Sequence, residues 1–155
     1  MQAGDEALAV FAVEDAIGHY EQARALFHEH VQQAMLELFH AKGQPSITVQ
    51  ALAHRAKGNQ ASFPQVEHLY VCLGRAYASQ HAWQQAQEAY EELLAYAQQH
   101  QLPTLVSMTL NRLAILAAQQ SFDKPRVRAL LEQAWQMAET SHDQRVLAET
   151  EWNQA

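Results

Sequence analysis

The sequence predicts an all-α chain of antiparallel helix pairs, and three observations carry that expectation. The 155 residues include only 5 glycines and 4 prolines, so little interrupts helix anywhere. Within Glu67–His100, Tyr70, Leu73, Gly74 and Tyr77 recur at helical spacing, and so do Trp83, Ala86, Tyr90, Leu93 and Leu94 after a short polar turn. Each set lines one face of a helix. The same grammar then returns, because Ala114 stands where Gly74 does, 40 residues further on. Small Gly74 and Ala86 let two helices close, and Tyr77 and Tyr90 fill the space around them. One helix pair cannot bury its own apolar faces, so several are expected.

Residues 1–42 read as a partial pair ending in a long helix. Ala16, Tyr20 and Ala23 repeat the spacing of Ala86, Tyr90 and Leu93. Gly4 and Ala7 fit the end of a preceding helix, with a turn near Phe11. The long helix carries Val13, Ile17, Tyr20, Phe27, Val31, Met35 and Leu38 as one stripe to about Ala41, with Gly43 as its C-terminal cap. Residues 43–64 break the rhythm with Gly43, Pro45, Gly58 and Pro64. They read as an inserted loop that holds one short helix capped by Ser46.

Residues 65–101 form the central pair, and 102–140 form the next. In the latter, Val106, Leu110, Leu113, Ala114 and Ala117 line a first helix. Asp123 caps a second, lined by Val127, Leu130, Leu131, Ala134 and Met137. Ser141, with Gln144 three residues on, reads as a capping box that opens a last helix over 141–155. In all, roughly seven helices and no strand are expected. Both ends fall inside a pair, as in a piece of a longer array. The last helix carries Val146, Leu147 and Trp152 with no partner helix, which predicts weak self-association through the terminal helices.

The combination Leu73-Gly74, Tyr77, Ala86 and Tyr90 resembles the tetratricopeptide repeat. That resemblance implies a right-handed α-α superhelix of antiparallel pairs. The phrases TLNRLAILAAQQ, RALLEQAWQMAE and AVEDAIGHYEQARALF look more narrowly like the sensor arms of bacterial STAND-type signalling ATPases. Regulators of the maltose-activator, LuxR-class type are among those ATPases. The likeness implies a non-enzymatic scaffold, part of a larger signalling or transcription-regulating protein, that meets a protein or peptide partner or another domain of its parent chain. The alternative it leaves is an inducer-sensing segment that binds an oligosaccharide or peptide in its groove. Tetratricopeptide arrays line a concave surface with the first helix of each pair. The resemblance puts His68, Val71, Arg75 and Ser79 there, with Met108, Asn111, Ile115 and Gln119 as their equivalents. Arg75 and Asn111 are the groups suited to gripping a peptide carboxylate or backbone.

Chemistry of other kinds finds little footing. A net charge of −7 disfavours a nucleic-acid footprint, which needs clustered Lys and Arg. No phosphate-binding GxxxxGK[ST] loop and no HExxH or CxxC pattern occurs, so neither cofactor nor metal is implied. Among the nine histidines, His28 and His30 point apart, and Glu37 with His40 supplies only two donors. Cys72 shares a helix face with His68, the geometry of an activated thiolate, but lacks an orienting third group and reads as packed and inert. Glu67, Glu88, Glu91 and Glu92 read as a solvated stripe, and Tyr70, Tyr77, Trp83, Tyr90 and Tyr96 as packing between helices. One cysteine and no membrane-length apolar run or leader fit a cytoplasmic setting.

Overall fold

In the computed structural model the described residues are 12–41, 63–121 and 123–154. They form six α-helices: α1 (Val13–Ala41), α2 (Phe63–Ser79), α3 (Trp83–Gln99), α4 (Pro103–Ser121), α5 (Lys124–Ser141) and α6 (Gln144–Gln154). No strand occurs among them. The expected helix end at Gly4–Ala7, the turn at Phe11, the Gly43 cap and the short helix opened by Ser46 lie outside the described residues. Phe63 and Pro64, expected to close the loop, instead open α2. The first turn of a helix suits proline, whose missing N–H has no partner to lose there.

The chain divides into two compact units, Met1–Leu69 and Tyr70–Ala155, with the boundary inside α2. In the first unit, α1 follows its predicted bounds. Ala16 and Tyr20 are fully covered, whereas Leu26 and Val31 are exposed.

The second unit is a run of helices, each packed on the next. Tyr70 of α2 meets Glu92 of α3, and Gly74 meets Tyr90. One index rises as the other falls, so α2 and α3 are antiparallel. Helix α4 packs against α3, α5 and α6, and α5 against α6. Ala86, Tyr90, Leu113 and Leu116 form a buried cluster, with Tyr77, Ala78, Trp83, Leu94 and Leu130 against it. Burying these side chains is the main force closing the unit, at roughly 25 cal/mol per Å².

Two of the turns are built alike. After α2, the Ala82 N–H donates to the Tyr77 carbonyl and His81 to Ala78. After α3, Leu102 donates to Ala97 and Gln101 to Gln98. This is the Schellman arrangement, and it forces the residue after the cap into the left-handed region. His81 (φ 59°) and Gln101 (φ 54°) occupy it without being glycine. Ala82 and Leu102 then accept the first backbone bond of the following helix, so each turn is as short as the chain allows.

The later caps divide between a success and a correction. Asp123 caps α5 as expected, its carboxylate accepting from the Arg126 N–H at 3.1 Å. The Ser141–Gln144 capping box does not form. Ser141 still belongs to α5, where its hydroxyl donates to the Ala138 carbonyl, and Asp143 caps α6 through the Arg145 N–H at 3.0 Å. The carboxylate two residues later is the stronger acceptor and takes the position. Among the described residues no helix is long and apolar enough to cross a membrane.

Candidate functional site

The residues expected to line a groove separate into two groups. On α2, His68, Arg75 and Ser79 are exposed and Val71 is half-buried. On α4, Ile115 and Gln119 are exposed and Met108 is half-buried. Asn111 does not belong with them. It is fully buried, and its Nδ2 donates to Thr150 Oγ1 of α6 at 2.8 Å. Helix α6 covers the stripe that the sequence reading left open. Asn111 therefore works inside the fold and offers nothing to a ligand on an open surface.

That buried pair has a defined polarity. The Thr150 hydroxyl donates its proton to the Val146 carbonyl at 2.8 Å, so toward Asn111 it can only accept. Asn111 must turn its amide nitrogen to Thr150, which leaves Asn111 Oδ1 without a partner among the described residues. Nearby on the same unit, the Ser107 hydroxyl donates to the Ala134 carbonyl at 2.7 Å, tying α4 to α5.

Arg112, one residue beyond Asn111, is the functional candidate that the sequence reading missed. Arg112 and, more weakly, Arg75 lie within electrostatic reach of the Tyr90 hydroxyl. Burial pushes the Tyr90 phenol above its ordinary value, while Arg112 and then Arg75 pull it back. Two cations from successive first helices thus act on one tyrosine. A buried tyrosine hydroxyl demands a partner, and that demand was the available signal. It could not choose among the arginines, because Arg112 does not lie one 40-residue period from Arg75.

The other candidates settle into packing or solvent. Cys72 is a buried free thiol, and His68 is exposed. Tyr77 and Trp83 pack on the Ala86–Tyr90 cluster. Glu88 and Glu91 are exposed and accept from Gln84 and Gln87 one turn earlier. Glu92 departs from the solvated stripe, being half-buried and accepting from the Tyr70 hydroxyl at 2.9 Å. Among the described residues no three His, Cys, Asp or Glu side chains are grouped to hold a metal. The side chains of Glu37 and His40 lie outside them.

Comparison with known proteins finds no matching family model, no similar curated protein and no similar solved structure.

Proposed function

We propose that this chain is a non-enzymatic helical-repeat module that binds a protein or peptide partner through the face formed by α2 and α4. The observation that supports this most is the placement of α4. It packs both on α5, joined to it by a short turn, and on α6, the first helix that follows. That is how helix pairs extend into an array, which resembles a right-handed tetratricopeptide-like superhelix. Within the second unit, Arg75, Ser79, Ile115 and Gln119 stay exposed along the two first helices. A surface that is polar yet carries single apolar residues suits a peptide better than it suits packing alone. The resemblance to STAND-type sensor arms extends the reading. The module then belongs to a bacterial, cytoplasmic regulator and passes partner binding to an output domain of its parent chain.

Selection from a displayed random-peptide library tests the binding face. The expected result is a set of peptides whose binding falls when Ser79 and Gln119 are changed to alanine together, and survives Trp152→Glu on α6. Peptides that ignore the Ser79/Gln119 change would overturn the assignment of the face. Trp152 is 83% exposed, which also supports weak self-association through α6. Sedimentation should show concentration-dependent association in the wild type that Trp152→Glu removes. Two strictly monomeric proteins would refute it. Val146, expected to share that exposed face, is buried and takes no part.

A further inference from the structure

We propose that α6 is exchanged between two copies of this chain, so that each copy seats its α6 on the α4 of the other. The turn at His142 and Asp143 is the hinge, and the Asn111–Thr150 contact re-forms across the two copies. The exchange is separate from the surface association through Trp152 and does not depend on it.

The hinge is the first support. The turns after α2 and α3 are each closed by the two backbone bonds of a Schellman arrangement. After α5 there is one, from the His142 N–H to the Glu139 carbonyl, and at 3.3 Å it is longer than any of those four. The Asp143 N–H turns instead to the Ser141 hydroxyl at 3.2 Å. His142 nevertheless sits at φ 54°, a left-handed conformation that is costly for a residue with a Cβ. Glu139 to Arg145 contains neither glycine nor proline, so helix can run straight through. His142 then returns to ordinary helical backbone. A straight helix cannot fold back on itself, so α6 leaves its own α4.

The footing of α6 is the second support. Of its described side chains only Val146 and Thr150 are buried, against five on α3. Its polar anchor is half satisfied. Asn111 donates to Thr150 at 2.8 Å, while Asn111 Oδ1 has no partner among the described residues. Once α6 has left, Asn111 has lost its acceptor and Val146 is bared to water. A second α6 meets both needs, with the fit that the first one already has. Each contact that one copy loses is regained from the other, and the balance between the two forms is left to the hinge.

Three variants act on the hinge alone. His142→Gly removes strain from both closed turns and should raise the dimer dissociation constant roughly tenfold or more. Asp143→Ala removes the cap of the closed turn, its bond to the Arg145 N–H at 3.0 Å, and should lower that constant roughly tenfold. Asp143→Asn can still cap and should match wild type.

Size-exclusion chromatography of fresh monomer, then of protein incubated at high concentration and diluted, reads the dimer. It should form and dissociate slowly, because α6 must leave α4 each time, and it should persist in Trp152→Glu. In a dimer isolated from mixed isotope-labelled and unlabelled wild-type chains, a filtered NOE should join the Asn111 side-chain amide of one chain to the Thr150 methyl of the other. The exchange is overturned by the absence of a slow dimer even in Asp143→Ala, by a dimer that His142→Gly does not weaken, or by an NOE confined within single chains. A dimer that dissociates at once on dilution and vanishes in Trp152→Glu would also overturn it, and would leave the surface contact through Trp152 standing.

Discussion

Glycine at 74 is a test of the helix packing that can be worked to a number. In an exposed helix interior, replacing glycine by alanine stabilises by about 1 kcal/mol. At Gly74 the added methyl would meet three atoms of the Tyr90 ring, two of them at 2.5 and 2.9 Å. Contacts under about 3.4 Å are already repulsive between carbons, whose attraction is best near 3.5 to 4.0 Å. The ring cannot readily retreat, because it sits in the cluster of Ala86, Leu113 and Leu116. Overpacking of this kind costs roughly 1 to 3 kcal/mol, enough to reverse the helix gain. Net of that gain, a cost of up to about 2 kcal/mol remains, so Gly74→Ala should lower the melting temperature by up to roughly 8 °C for a chain of this size. Gly18 is the internal control. It lies within α1, is exposed, and an added Cβ there meets nothing within 4 Å. Gly18→Ala should raise stability by roughly 0.5 to 1 kcal/mol. Calorimetry on both variants, and on Gly74→Ala in a Tyr90→Leu background, gives the answer. A Gly74→Ala protein that melts at or above wild type, or that gains nothing from Tyr90→Leu, would refute the contact.

Three further outcomes are expected. Thr150→Val strips Asn111 Nδ2 of its acceptor and should cost roughly 1 to 3 kcal/mol in urea unfolding, whereas Asn111→Leu with Thr150→Val should recover most of it. Gln101→Gly removes the strain of a left-handed non-glycine residue (φ 54°) and should stabilise by about 1 kcal/mol; an unchanged melt would mean the strain is absent. Tyr90 should ionise above its ordinary value of 10.0 because it is buried, as read from phenolate absorbance. The folded state then holds its proton longer than the unfolded chain, so this contribution to stability is intact below pH 10 and declines as pH rises through the folded value. Arg112→Gln should move that ionisation higher still, and a downward shift would contradict the contact between them.

The helices were legible in the sequence because side-chain period and size encode them. Gly74, Ala86 and Tyr90 showed a close helix contact, and the structure places the Tyr90 ring on Gly74. The cap at Asp123 was readable because its carboxylate has one competent N–H within reach. Ser141 misled because two acceptors, Ser141 and Asp143, compete within three residues, and only the folded turn decides between them. Of the expected stripe from Val13 to Leu38, Tyr20 is buried and Val31 is exposed, because phase says nothing of how far along a helix its neighbours reach.

The candidate site was harder to read, for a reason that Asn111 and Arg112 show together. Position along a repeat gives the face of a helix, but which faces remain open depends on what packs next. Helix α4 has three helical neighbours, so a residue one step around its axis changes from solvent to interior. Asn111, polar and in phase with the α2 residues, turns to α6 and is sealed there by Thr150. Arg112, which charge alone assigns to solvent, is half-buried and acts on the Tyr90 hydroxyl. Tyrosine links the two levels. Its ring satisfies the packing pattern that the sequence displays, and its hydroxyl creates a need that the pattern does not mention. The packing rule that makes Tyr90 recognisable as a helix wedge thus also buries a hydroxyl on which Arg112 and then Arg75 act.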